Sequence, residues 1–131
     1  MNISNKVIMF QMAVVDMDIS KEFYTDKLGF EVTKDHKKHD NRWVLLVPPL
    51  GGPSIILTTS DIKAKPGTMK MYLSTPNIEE TYDEMKSKGF NLTSDIIAES
   101  EGTSFSFDDP DGNEWIVVLC GYGDVPPAMF Y

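Results

Sequence analysis

The chain is short of the residues on which many functions depend. One cysteine, Cys120, stands in 131 residues, so neither an internal disulfide nor a thiolate zinc site can form within it. There are two histidines, His36 and His39, and a single arginine, Arg42. Twelve Lys and Arg face twenty Asp and Glu, a formal net charge of −8. A phosphate backbone or an anionic membrane surface calls for a basic face, so no nucleic acid and no membrane is expected among the partners. The longest unbroken apolar runs, Trp43 to Val47 and Trp115 to Cys120, fall far short of the roughly 20 residues that span a bilayer. Met1 to Lys6 holds no apolar core of signal-peptide length, and a cytoplasmic location is expected. The remaining composition, 41% apolar and 24% charged, is that of a soluble globular domain and excludes a disordered chain.

The chain repeats itself once. In the first half an apolar segment, Val7 to Val15, precedes Asp18-Ile19-Ser20, which opens a helical stretch ending at Leu28-Gly29-Phe30. In the second half Met69 to Leu73 precedes Asn77-Ile78-Glu79-Glu80, and the helical stretch ends at Lys88-Gly89-Phe90. Asp18 and Asn77 are N-cap residue types, and Asn77 with Glu80 has the spacing of a capping box. Ile19 with Phe23, and Ile78 with Tyr82 and Met85, mark one apolar stripe on each helix. Gly29 and Gly89 stand where a helix needs a left-handed residue to stop, and they lie 60 positions apart.

The echo continues past the helices. Arg42 to Val47, a Pro48 to Pro53 turn and Ile55 to Leu57 read as two strands around a turn. So do Thr103 to Phe107, the turn Asp109-Pro110-Asp111-Gly112 and Trp115 to Leu119. Short strands after each helix, Glu31 to Lys34 and Asn91 to Ile96, complete a strand–helix–strand–strand–strand order in both halves. A period near 60 is too long for a solenoid repeat and indicates two copies of one module.

Asp16-Met17-Asp18-Ile19-Ser20-Lys21-Glu22-Phe23-Tyr24 leading to Leu28-Gly29-Phe30 resembles the first-module signature of the vicinal oxygen chelate superfamily. That superfamily includes glyoxalase I, bleomycin-resistance proteins, fosfomycin-resistance enzymes and extradiol dioxygenases. Phe107-Asp108-Asp109-Pro110-Asp111-Gly112-Asn113 resembles its second-module hairpin, and Arg42-Trp43-Val44 with Val47-Pro48-Pro49 is similar to a bacterial glyoxalase-like branch. The resemblance implies an α+β domain over residues 1–131. Two tandem βαβββ modules (about 5–62 and 66–121) form an open half-barrel around one pocket, with a tail at 122–131 and commonly a homodimer.

Enzymes of the superfamily hold a divalent metal with four side chains, from the first and last strands of each module. Carried onto this chain, those places hold Met9, Ile56, Lys70 and Ile116, none of which is a ligand for a hard or borderline divalent ion. A slip of two along the strands brings in Gln11, Thr58, Tyr72 and Glu114. No metal and no cofactor are therefore expected. His36 and His39 lie among Lys34, Lys37 and Lys38, which repel a cation, and the segment reads as a solvated basic loop joining two strands.

Alternation along the strands sets Met9, Gln11, Ala13, Ser54, Ile56 and Thr58 on the face of those places in the first module. In the second it sets Thr68, Lys70, Tyr72, Ser74, Glu114, Ile116 and Val118 there. Lys70 and Glu114 are the charged pair of this mixed face and the candidate catalytic residues. Trp43, Phe105 and Phe107 are candidate stacking walls. The tail from Gly121 to Tyr131 is expected to pack over the pocket mouth or across a dimer partner, being broken by two prolines and apolar at its end. Two functional readings follow. The first is a metal-free protein of the bleomycin-resistance type that sequesters a small cationic or aromatic compound. The second is a glyoxalase-like lyase or isomerase, or a dioxygenase-related enzyme, that works without a metal or with an atypical metal site.

Overall fold

A computed structural model of the chain describes residues 2–59, 63–100 and 102–120. The tail expectation falls on residues outside this set. The chain divides into two compact units between Gly67 and Thr68, and each carries one open sheet.

The first unit runs β1 (Met9–Ala13), α1 (Met17–Glu22), a π-helical turn (Phe23–Lys27), β2 (Glu31–Lys38), β3 (Asn41–Val47) and β4 (Ser54–Thr58). Its strands lie in the order β1-β4-β3-β2, with β1 and β4 parallel and the other pairs antiparallel. The second unit runs β5 (Lys70–Thr75), α2 (Ile78–Ser87), β6 (Asn91–Leu92), β7 (Ile97–Glu99), β8 (Gly102–Asp108) and β9 (Glu114–Leu119). Its order is β5-β9-β8-β6 with β7 also on β8, and β5 and β9 are parallel. The protein is thus α+β with two βαβββ-type modules, as the repeat indicated, and their sheets are open, as the resemblance implied.

Local chemistry explains most boundaries. The Asn77 side chain accepts from the Glu80 N–H at 3.1 Å and donates to the Glu80 carboxylate at 3.0 Å. The Asn77 N–H is itself taken by Thr75 Oγ1 at 3.2 Å, so Glu80 closes the capping box on the Asn77 amide instead. Gly29 (φ 77°) and Gly89 (φ 78°) end the two helical stretches in the left-handed region, where any Cβ is strained.

Four local expectations are corrected. The cap of α1 is Asp16, not Asp18: Asp16 Oδ1 accepts from the Ile19 N–H at 3.1 Å. With the helix begun two residues earlier, Ile19 turns outward and is exposed, and Met17, Ser20, Phe23 and Tyr24 form the buried side. The segment around His36 is not a loop but the second half of β2, paired with β3 from Lys34↔Leu45 to Lys38↔Asn41. The hairpin turns at His39, whose φ of 55° is left-handed. Finally, the strand expected over Asn91 to Ile96 is broken. The Ser94 hydroxyl accepts the Ser106 N–H at 3.0 Å, taking the place of a strand carbonyl between β6 and β7.

Each core follows the period of two. In the first unit Met12, Val44, Leu46, Ile55 and Leu57 are buried on the side where α1 packs against β4. In the second, Met71, Phe105, Phe107, Trp115 and Val117 are buried on the side of α2, which packs on β8 and β9. Phe107 stacks on Trp115 (centroids 6.2 Å, 5° between planes), and Phe90 meets Phe107 edge-on at 5.2 Å.

Candidate functional site

In each unit the alternation that fills the core leaves the opposite face of the sheet for other work. On the first sheet the register aligns His36, Trp43, Thr58 and Ala13 in one row and Lys34, Leu45, Ile56 and Gln11 in the next. Met9 and Ser54 form a third. On the second sheet one row is Ser74, Val118 and Ser104, and the next is Tyr72, Ile116 and Ser106. A third row, Lys70, Glu114, Asp108 and Asn91, crosses four strands and carries all the formal charge of these three rows.

The two faces differ in chemistry. The first is an indole with apolar neighbours and a basic edge. The Lys34 ammonium lies 5.4 Å from the Trp43 ring centroid, and the His36 ring lies at 5.4 Å with 32° between planes. The intervening Asp35 points to the other side of β2. It receives Arg42 Nε at 3.0 Å, Arg42 Nη2 at 2.8 Å and Lys21 Nζ at 2.8 Å, while Arg42 Nη1 reaches Asp18 at 2.7 Å. These bonds, from Arg42 first and then Lys21, hold the Asp35 carboxyl well below the usual carboxylate range.

The second face is polar. Lys70 Nζ is 3.4 Å from Glu114 Oε1, with both side chains about half exposed, so the pair contributes little to stability. Asp108 stands opposite Glu114 across the β8–β9 ladder. Its carboxyl is pushed above the ordinary value, first by partial burial and then by the charges of Glu114 and Asp109. Beside it Thr93 Oγ1 and Ser106 Oγ share a hydrogen bond of 2.8 Å, and Ser106 donates to Ser94 Oγ at 3.2 Å.

Most of the sequence-derived candidates share these faces. Met9, Gln11, Trp43, Ile56 and Thr58 lie on the first, and Lys70, Tyr72, Glu114 and Ile116 on the second. Phe105 does not. It is 1% exposed and meets Tyr82 of α2 edge-on at 5.2 Å, and Phe107 is buried likewise. The cause is parity: the β8–β9 turn pairs Asp108 with Glu114, so Ser106 and Ser104 share the face of Ile116 and Val118, and the two phenylalanines share that of Trp115 and Val117. Counting back through this turn from Glu114 finds Asp108, which sequence reasoning missed. Lys34 and His36 were missed as neighbours of Trp43 because the strand was ended at Lys34 and the segment around His36 was read as a loop.

The turn motif itself is structural. Asp109 is buried, and its carboxylate accepts from the N–H groups of Asp111 (3.0 Å) and Asn113 (2.8 Å) and from Asn113 Nδ2 (2.8 Å). Asn113 Oδ1 then accepts from Met69 N–H at 2.9 Å, tying the hairpin to the start of β5.

The residues that the resemblance sets at the superfamily's metal places do not fit a hard divalent ion. Met9 and Ile56 offer a thioether and an alkyl group, and Lys70 and Ile116 an ammonium and an alkyl group. Among the described residues no three His, Cys, Asp or Glu gather in a group that could hold a metal ion.

Comparison with known proteins gives the fold a context. The chain is 30% identical over 119 residues to the uncharacterized protein YurT of Bacillus subtilis (strain 168), covering 82% of this chain and 94% of that one. It is similar in structure to TnmS3, an antibiotic binding protein from Streptomyces sp. CB03234. The TM-score is 0.80 at 25% identity, over 91% of this chain and 98% of that one. It also resembles a member of the glyoxalase/bleomycin resistance protein/dioxygenase superfamily from Sphaerobacter thermophilus DSM 20745, with a TM-score of 0.77 at 27% identity over 89% and 98% of the two chains. No helix among the described residues is long and apolar enough to cross a membrane. Residues 6–117 match the family itself, and the chain belongs to the Glyoxalase/Bleomycin resistance protein/Dioxygenase superfamily.

Proposed function

We propose that this protein binds a small organic molecule on the sheet faces turned away from its helices and holds it without metal chemistry. The observation that carries the reading is the chemistry of the faces that hold Met9, Ile56, Lys70 and Ile116, the residues that the resemblance sets at the family's metal places, among apolar and hydrogen-bonding neighbours. Such a mixture of apolar floor and few polar groups is what small-molecule sites use. The likeness to an antibiotic binding protein supports a binding role over a transforming one. The working form is a homodimer in a bacterial cell, as the family resemblance implies, and its expected location is the cytoplasm.

The test has two parts. Elemental analysis of protein purified without chelator or histidine tag is expected to find no stoichiometric zinc, nickel, manganese or iron. One equivalent per chain overturns the reading. A thermal-shift screen of planar aromatic and polycyclic antibiotics is expected to return ligands that raise the melting temperature and are recovered unaltered.

One observation favours a second reading, a metal-independent lyase or isomerase. The Lys70–Glu114–Asp108 row brings an ammonium, a carboxylate and a carboxyl of raised pKa together on one face, which is the material of acid–base catalysis. Recovery of altered ligand, abolished by Lys70→Ala and Glu114→Gln with binding retained, selects it.

A further inference from the structure

We propose that Trp43, Lys34 and His36 form a recognition site for an aromatic carboxylate. The ligand ring lies against the indole, and its carboxylate takes the Lys34 ammonium and a His36 ring N–H. This rests on the binding role above and names the ligand class for the first sheet.

The geometry starts from strand pairing. His36 stands directly opposite Trp43, and Lys34 is two residues along on the same face. Both side chains reach the indole, Lys34 at 5.4 Å from its centroid and His36 at 5.4 Å. Lys38 continues the row of alternate residues on this edge, opposite Asn41. Four of the chain's twelve cationic residues thus fall between Lys34 and Arg42, against a net charge of −8.

The carboxylate adjacent in sequence is committed elsewhere. Asp35 lies between Lys34 and His36 in sequence but on the other side of the strand, held by Arg42 and Lys21. Glu31, the β2 carboxylate on the Trp43 face, pairs with Val47 at the far end of the strand, beyond the bulge at Val32/Lys34. Among the described residues no carboxylate pairs with the Lys34 ammonium over Trp43, which leaves it for a ligand in this proposal. Leu45 and Ile56, paired in the adjacent row, extend the indole as an apolar floor.

The chemistry selects an anion with a flat ring. A lysine over a half-buried indole is weakly held, whereas a carboxylate gives the same ammonium a stronger charge-assisted hydrogen bond. A ligand ring beside the carboxylate takes the indole face that Lys34 gives up. A cationic aromatic compound, in contrast, meets the like charge of Lys34 at the edge of the ring.

The test uses three probes of one shape, naphthoate, naphthamide and naphthylmethylammonium. Calorimetry on the full chain gives affinities, and the indole N–H resonances report position. Trp115, 2% exposed, serves as the internal reference. Naphthoate is expected to bind about tenfold more tightly than naphthamide, the effect of one charge-assisted hydrogen bond, and to shift the Trp43 resonance but not that of Trp115. Lys34→Met with His36→Gln is expected to bring the two affinities level, and Lys86→Met on α2 to leave them unchanged, with thermal melting confirming that the variants fold. Equal or tighter binding of the amide or the ammonium overturns the assignment while the binding role stands. So does failure of all three probes when the antibiotic screen returns other ligands. Failure of the probes and the screen together overturns both.

Discussion

The turn joining β3 to β4 and the turn joining β8 to β9 hold equivalent places in the two halves, and they are built differently. In both, the first residue of the following strand donates its N–H to the chain just before the half's first strand, Ser54 to Ile8 at 2.9 Å and Glu114 to Met69 at 3.0 Å. The first turn adds one backbone bond, Gly51 N–H to Pro48 O at 3.2 Å, and leaves Leu50 98% exposed. The second adds a buried Asp109–Asn113 knot whose Asn113 Oδ1 also clamps Met69. The faces turned away from the helices diverge in the same way, one centred on an indole with a basic edge and the other on a carboxylate row. A shared topology needs only the strand pairing and the core, so the turns and the outward faces are free to take different chemistry.

The strongest way to break this comparison is to exchange core for face. Phe105→Ala empties a buried site against Tyr82 and is expected to cost about 4 kcal/mol, whereas Trp43→Ala on the partly exposed face is expected to cost about 1 kcal/mol. Urea denaturation checks both, and equal losses remove the distinction between the two aromatic positions. Asp109→Ala leaves three donors without their carboxylate and is expected to cost about 3 kcal/mol. Leu50→Ser in the equivalent turn is expected to stay within about 0.5 kcal/mol of the parent.

The Asp35–Arg42–Lys21 network sharpens the comparison at the first half's edge. Arg42→Ala is expected to cost about 1 kcal/mol at neutral pH, allowing for solvent screening. Because the folded state depresses the Asp35 pKa, its contribution is present above the unfolded value near 3.8 and is lost as pH falls below it. Acid denaturation profiles of parent and variant are therefore expected to converge below that pH.

Asp108 carries the opposite sign. Its folded pKa is raised, so its contribution is present below the unfolded value near 3.8 and lost as pH rises through the folded one. Asp108→Asn is expected to stabilise the protein at neutral pH by about 0.5 kcal/mol at most, with the gain vanishing below that unfolded value. Destabilisation at neutral pH gives Asp108 a structural role instead.

Features of short range were legible from residues alone. Asn77 and Glu80 are three apart, and a cap is a contact across three residues. Gly29 and Gly89 were readable because a left-handed φ excludes side chains. The Asp16 cap was harder to read, since two aspartates two residues apart both suit the role. What separates them is that Asp18 is drawn to Arg42, 24 residues away. The β2 hairpin escaped because a run of Lys and His has low strand propensity, and its pairing with β3 outweighs that preference.

Composition, period and punctuation by themselves determined that this protein is two copies of a strand–helix–strand module, with cores set by alternation. These properties depend on residue type and on spacing of a few positions. Only the tertiary structure decided that Phe105 turns inward, that Asp108 stands beside Glu114 and that Lys34 and His36 gather over Trp43. Each depends on which residue faces which across a ladder. A shift of one residue in that register sends every side chain to the other face, and the register is set by turns and bulges whose outcome no single strand carries.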